Sequence, residues 1–432
     1  VSVIDPLEQS NPAPGARWID QPVHRLWLDQ EGLRLLHFYR AAALPGGGFA
    51  PLDSHGRLAE DAVADTLVTA RHTHCYSLAA MAGVPGAASM AAHGMVALTD
   101  LLRDAEHGGW YQRAPAPGHD DSKQCYIQIF VALGAASATQ AGIPGAHNLL
   151  AAVLAVLEQH FWSAETQTYC ESYDRAWNVR ADYRGANSNM HAVELCLVLA
   201  DVLDDPTWYD RALAIGERII HRHAAENDHL VIEHFHGDWR EWRECNAEAI
   251  EDGFYPFGAT PGHSCEWARL LISLEAGLGA VDREAPNWLF YDAKALFDRA
   301  VAVGWETDGA PGMVYTVDWQ ARPCATRRRH WVQAEALAAA AALATRTGEA
   351  RYEAWYRRIW DHVRDVYIDT VHGSWVQELD ATLAPHADEG HLKADLYHAY
   401  QATLLPPLAL TPSLPIAVSQ PFGGPVEGRG PE

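Results

Sequence analysis

Segments with the 3.6-residue period of an amphipathic or buried helix recur twelve times along this chain, at about 18–42, 61–82, 86–106, 121–141, 145–160, 187–204, 206–225, 263–279, 286–304, 330–347, 349–368 and 394–409. Short aromatic, β-prone pieces punctuate them: Gly108-Gly-Trp-Tyr111, Thr168-Tyr-Cys-Glu171, Leu230-Val-Ile-Glu-His-Phe235, Gly312-Met-Val-Tyr-Thr-Val-Asp-Trp319 and Gly373-Ser-Trp-Val-Gln-Glu378. Their spacing of about 60 to 80 residues is the length of one helix-hairpin-helix unit. No unit carries the polar outer face that caps an open solenoid, so the pattern predicts six helical hairpins closed into a toroid, an all-α fold. Odd helices then form an outer ring and even helices an inner one. Arg71, Tyr126, His191, His263, Trp331 and His398 all fall on or at the start of even helices. They are expected to line one central cavity.

Nothing in the composition interrupts this ring. No Ser/Gly/Pro-rich linker or shift in residue usage breaks the chain between about residues 18 and 410, which predicts one large domain over 18–410 with an extension at 1–17 and a Pro/Gly-rich tail at 411–432. That tail is expected to be loose or draped on the surface. A net charge of -24 disfavours nucleic acid and anionic membranes, which need clustered cations. No apolar run reaches the roughly 18 residues of a membrane span. The beginning of the sequence lacks a signal-peptide pattern, and seven cysteines with no CxxC pair argue against a disulfide framework or a cysteine-rich zinc site. A reducing cytoplasm fits best.

Polar residues on inner faces carry the candidate chemistry. In Thr260-Pro-Gly-His-Ser-Cys-Glu-Trp267, a Pro-Gly turn delivers His263 into the first turn of a helix and puts Glu266 three residues on, on the same face. The positive end of the helix dipole there disfavours an imidazolium and favours a ring that can accept a proton. Asn187, His191 and Glu194 stand at i, i+4 and i+7 and share a face; His398 follows Asp395 by three. One such group is usually a satisfied core residue, but several together are costly to bury without a ligand or a wet cavity. Arg71 interrupts an apolar pattern and needs either a core carboxylate or a polyhydroxyl partner. Tyr126 and Trp331 offer ring faces that suit a sugar, or simply core packing. Metal ligation is weakly supported: His72 and His74 point to different sides of a helix, and His234 and His236, which would share a strand face, have no third ligand at a useful spacing.

Thr69-Ala-Arg71, Lys123-Gln-Cys-Tyr126, Asn187-Ser-Asn-Met-His191, Thr260 to Trp267, Trp331-Val-Gln-Ala-Glu335 and Asp395-Leu-Tyr-His398 together resemble the N-acylglucosamine 2-epimerase superfamily, most closely its aldose-ketose isomerase branch. The resemblance spans about residues 18–410 and implies an (α/α)6 barrel. It also implies roles. His398 matches the histidine that moves a proton between C2 and C1 of the open-chain sugar, His263 its partner in ring opening and in the O1/O2 proton movements, and Glu266 the carboxylate supporting that partner. Arg71, Tyr126, Asn187, His191, Trp331 and Gln377 match sugar ligands.

The activity so implied is a metal-independent interconversion of D-mannose and D-fructose, with D-lyxose and D-xylulose as a second pair, through a cis-enediol(ate) and without a cofactor. Its partner is a monosaccharide, and no feature of the chain selects between a monomer and a homo-oligomer. Ala394 departs from the sulfoquinovose isomerase pattern, and Gly253 and Tyr255 stand where that branch is arginine-rich; both departures favour an uncharged sugar. Rival readings are a sugar 2-epimerase sharing the two histidines, a sulfoquinovose isomerase, a glycoside hydrolase on the same toroid and a non-enzymatic binding protein. A hydrolase needs two carboxylates across the scissile bond, and no convincing inner-helix pair beyond Glu194 and Glu266 emerges.

Overall fold

The computed structural model of the chain describes residues 17–116, 118, 120–385 and 392–420; the greater part of the 1–17 extension and residues 421–432 of the expected tail lie outside the described residues. Its outer helices are α1 (Pro22–Tyr39), α3 (Ala87–Val96), α5 (Ala146–Val156), α7 (Trp208–Gly216), α9 (Trp288–Gly304) and α11 (Ala350–Val366). Its inner helices are α2 (Thr66–Met81), α4 (Cys125–Gln140), α6 (Ala186–Val202), α8 (Pro261–Ala280), α10 (His330–Thr347) and α12 (Leu396–Leu404). These twelve form the six-hairpin toroid expected from the sequence, odd helices outside and even helices inside.

The two rings differ because they bury different amounts of surface. Outer α11 buries a single stripe, Tyr352, Tyr356, Ile359, Trp360 and Val363, with Glu353 beside it, the spacing of a helix with one wet face. Inner α4 and α10 are buried without a break over Cys125–Ala138 and, apart from Trp331, His330–Ala344. Alanines at 334, 336, 338–342 and 344 give α10 the slim profile that close packing of six helices around one axis requires. Where α2 crosses α4, a Cβ added to Gly134 would lie 2.8 Å from the carbonyl oxygen of Ala70. Gly134→Ala is therefore expected to destabilise the protein by about 1–3 kcal/mol. Thermal melts check this, and a wild-type melting temperature would show that the two helices separate freely.

Short strands tie neighbouring units together at one rim. β5 (Tyr183–Gly185), leading into α6, pairs antiparallel with β6 (His234–His236), which precedes α8; β7 (Arg328–Arg329), leading into α10, pairs with β8 (Glu378–Leu379), which precedes α12. β1 (Lys123–Gln124) pairs with β4 (Ser172–Tyr173), and β2 (Trp162–Ser163) with β3 (Thr168–Tyr169). The loop between α1 and α2 makes the single bridges Ala43 to Phe49 and Leu52 to Lys393.

The opposite end is closed by residues 405–419, of which the sequence placed 405–409 in the last helix and 411–419 in a loose tail. Residues 405–413 cross it, and α13 (Leu414–Ser419) packs against α2, α4 and α6. Pro415 and Val418 of this helix are buried, and the Ser413 N–H donates to Asp201. Apolar residues three apart on a single short turn were too little signal against a Pro/Gly-rich background.

Candidate active site

All six inner helices begin on the strand-bearing rim, and the first two turns of each supply the cavity wall. Arg71 is in the second turn of α2, Tyr126 and Asn187 are the second residues of α4 and α6, His263 is the third of α8, Trp331 the second of α10 and His398 the third of α12. Helix N-termini converge with their partial positive charges on one volume, which suits a ligand that develops negative charge.

Three histidines share one arrangement. His398 Nδ1 lies 2.5 Å from Asp395 Oδ2, whose other oxygen caps α12 by accepting the His398 N–H at 3.1 Å. His263 Nδ1 lies 3.0 Å from each oxygen of Glu233, and His191 Nδ1 lies 3.1 Å from Glu194. Each Nδ1 thus donates to a carboxylate, and no Nε2 of the three has a hydrogen bond among the described residues. An imidazole held this way presents a basic lone pair on Nε2. Burial would raise the Asp395 carboxyl, yet its pairing with His398, the His330 ring 3.4 Å away and Arg71 hold it well below the usual range. Glu194 is likewise held low against its burial by His191, Arg269 and the Tyr397 hydroxyl. Burial pushes His191 itself down to about 4, so the ring is neutral.

The pairing of His263 with Glu266 is corrected by this geometry. Glu266 points to the barrel axis, 3.6 Å from His191 and 3.7 Å from Arg269, while the ring of His263 turns toward the incoming strand and meets Glu233. Glu233 escaped notice because it stands in a β-prone piece outside any helix; an acid inside the apolar run Leu230 to Phe235 was the available signal. Burial, and next to it the charge of Glu335, raise the Glu266 carboxyl well above its ordinary range. A carboxyl so raised favours its protonated form, which can donate a hydrogen bond. Ligand atoms of Glu266, Glu335 and His398 lie within 4.8 Å of one another, as do those of His191, Glu194 and Glu266. Arg269, 3.1 Å from Glu335, already sets a cation among these carboxyls.

Trp331 lies between the two outer histidine pairs, its ring centre 5.0 Å from His263 and 5.8 Å from His398. Across the cavity the Arg71 guanidinium donates to the Tyr126 hydroxyl at 2.8 Å, stands 3.9 Å from Asp395, and lies over Phe130 and Tyr397 at 4.3 and 4.8 Å. Its Nε, together with Asn187 Oδ1 and Glu266 Oε1, is buried without a hydrogen-bond partner among the described residues. Three such atoms around one cavity call for a ligand rich in hydroxyl groups. Gln377 stands on the mouth beside Trp331, its Nε2 donating to Tyr39 at 3.3 Å. Phe254 packs edge-on against Tyr126 at 5.2 Å. His234, weighed as a metal ligand, uses both nitrogens, on Tyr183 at 2.6 Å and the Pro256 carbonyl at 2.7 Å.

The buried histidines make an acid response predictable. His72, His74 and His191 are each pushed to about 4 by burial, from an ordinary 6.5. The unfolded chain therefore binds protons that the folded one refuses. Stability is fully present above about pH 6.5 and is lost as pH falls toward 4, each histidine costing up to about 3 kcal/mol. Melting temperatures measured from neutral pH to pH 4 are expected to fall steeply and to fall less in His74→Gln. A flat profile would show that these rings protonate inside the fold.

The chain is an (α/α)6 barrel whose inner rim presents histidine-carboxylate pairs, an arginine and other hydrogen-bonding groups. Residues 47–402 match the family described as N-acylglucosamine 2-epimerase (GlcNAc 2-epimerase), and the chain belongs to that family. It is 50% identical over 402 residues to a D-mannose isomerase of Pseudomonas cannabina pv. alisalensis, covering 93% of this chain and 97% of the relative. Against a D-mannose isomerase of Thermobifida fusca the identity is 48% over 400 residues, covering 92% and 97%. A crystal structure of a D-mannose isomerase superposes with a TM-score of 0.82 at 27% identity, covering 91% of this chain and 98% of that one. None of the described helices is long and apolar enough to cross a membrane.

Proposed function

We propose that this protein is a D-mannose isomerase acting in the cytoplasm, converting D-mannose to D-fructose and back by proton transfer through a cis-enediol(ate). The observation that carries the assignment is near-half identity, over more than nine-tenths of the chain, to two proteins of that activity. The seven cysteines, all free, fit a reducing compartment.

The proton at C2 is acidic enough for an imidazole only when C1 is an aldehyde, so the ring must open first. In this reading His263, oriented by Glu233, assists ring opening by exchanging a proton with the ring and anomeric oxygens. His398, held by Asp395 with Nε2 toward the cavity, takes the C2 proton on Nε2 as electrons shift to O1. Negative charge developing on O1 and O2 is met by Arg71, the neutral Glu266 and the helix N-termini. O1 gains a proton, O2 loses one, and His398 returns its proton to C1, giving the ketose with no net change in protons. Tyr126, Asn187, His191, Trp331 and Gln377 hold the sugar, Trp331 against its C–H face.

A proton NMR time course with D-mannose in D2O, with EDTA present, tests the assignment. Fructose is expected, carrying deuterium at C1 to the extent that the proton on His398 exchanges with solvent. Glucose formed directly from mannose would move the protein to 2-epimerisation, with both histidines acting at C2. No reaction of mannose would reject the assignment.

A further inference from the structure

Two arginines flank the approach to the sugar cavity, and both are tied down. The mouth, about 750 Å³, has Trp331, Gln377 and Asp395 on its wall together with Arg327, Arg329 and Glu378. Alternate residues of a strand face opposite sides. Arg328 accordingly turns inward to Asp308, while Arg327 and Arg329 turn toward the mouth. Glu378, directly across the β7–β8 pair from Arg329, meets both of them: its Oε1 lies 2.8 Å from Arg327 and its Oε2 3.2 Å from Arg329. Arg327 also pairs with Glu251 at 2.9 Å. Arg329 donates to the Gly253 carbonyl at 3.0 Å and its guanidinium carbon stands 4.0 Å from the Tyr315 ring centre. Among the described residues the two guanidiniums pair with the carboxylates of Glu378 and Glu251, and Glu378 is shared by both.

We infer that Glu378 is a specificity-determining residue: by neutralising Arg327 and Arg329 at the mouth, it keeps sugars with an anionic substituent from binding while admitting neutral ones. This rests on the isomerase reading for its substrates, and on the side-chain geometry alone for its electrostatics. Without Glu378 the same two arginines form a planar, multidentate site for a phosphate or sulfonate, the group for which paired guanidiniums are best suited. With it, an anion entering the mouth must compete against a carboxylate already in place, within a chain of net charge -24.

The test uses the full-length protein and two readouts. Calorimetric titration with inorganic phosphate is expected to show no binding to the wild type at millimolar concentration, and binding to Glu378→Gln that disappears in Glu378→Gln/Arg329→Gln. Glu251→Gln, whose carboxylate is more exposed, serves as the milder variant and is expected to bind phosphate more weakly. In turnover, the preference for D-mannose over D-mannose 6-phosphate in kcat/KM is expected to shrink by about tenfold or more in Glu378→Gln, with mannose turnover kept within about threefold. Wild-type protein that binds phosphate, or variants that bind none while remaining folded, would overturn the inference. Inactivity of the wild type on mannose would instead sink the isomerase reading and leave the phosphate titration as the measure of the mouth.

Discussion

His398→Ala is expected to lower the turnover of D-mannose about a thousandfold, the largest effect of any single substitution considered. His398 is the candidate C2/C1 base, its Nδ1 is 2.5 Å from the depressed carboxyl of Asp395, and its Nε2 is unbonded among the described residues. The ring also packs against Trp331 and Tyr397, so the truncation leaves a small cavity at the rim and costs some stability. His398→Asn keeps more of the volume and removes the base, which separates the two effects. The measurement is the initial rate of fructose formation, read beside a melting curve and sugar binding. Either variant retaining a tenth of the wild-type rate while folded would take His398 out of the reaction.

Glu233→Gln is expected to reduce kcat about a hundredfold while the melting temperature changes little. Both Glu233 oxygens accept from His263 Nδ1. A glutamine amide can donate to Nδ1 instead, and the neutral ring then carries its proton on Nε2, the wrong tautomer for accepting one from the sugar. A lost pairing acts through His263, so His263→Asn and Glu233→Gln should be strongly non-additive in a double-mutant cycle. Additive effects, or full activity of Glu233→Gln, would mean that His263 does not depend on this carboxylate. Glu266→Gln provides the contrast. A buried carboxyl held neutral is close in shape and charge to an amide, so the fold should tolerate the change.

What could be read before any coordinates follows from period and position. Buried and amphipathic helices differ in how many of their faces are apolar, so Cys125 to Ala138 and the stripe of α11 announce inner and outer rings locally. A residue's place in the alternation of helices is also local, which is why Arg71, Tyr126, His191, His263, Trp331 and His398 could be placed on inner helices lining one cavity from the sequence. His398 could be matched with Asp395, and His191 with Glu194, because three residues along one helix bring two side chains together whatever the surroundings.

The same rule misled at His263, where a carboxyl three residues on is available but a strand from another unit comes closer. Contacts made across the ring are not encoded in spacing. Glu233 reaches His263 through the β5–β6 pairing, Glu378 reaches two arginines through β7–β8, and residues 405–419 reach the far end, where α13 packs against α2, α4 and α6. The sequence by itself determined a toroid of six hairpins and several of the polar groups facing its cavity, since those depend on periodicity within single helices. Which carboxylate serves which histidine, which acid stays neutral and which arginines are silenced were decided only by the tertiary structure. Those properties depend on distances of a few ångströms between segments dozens of residues apart, and on the burial that their packing creates.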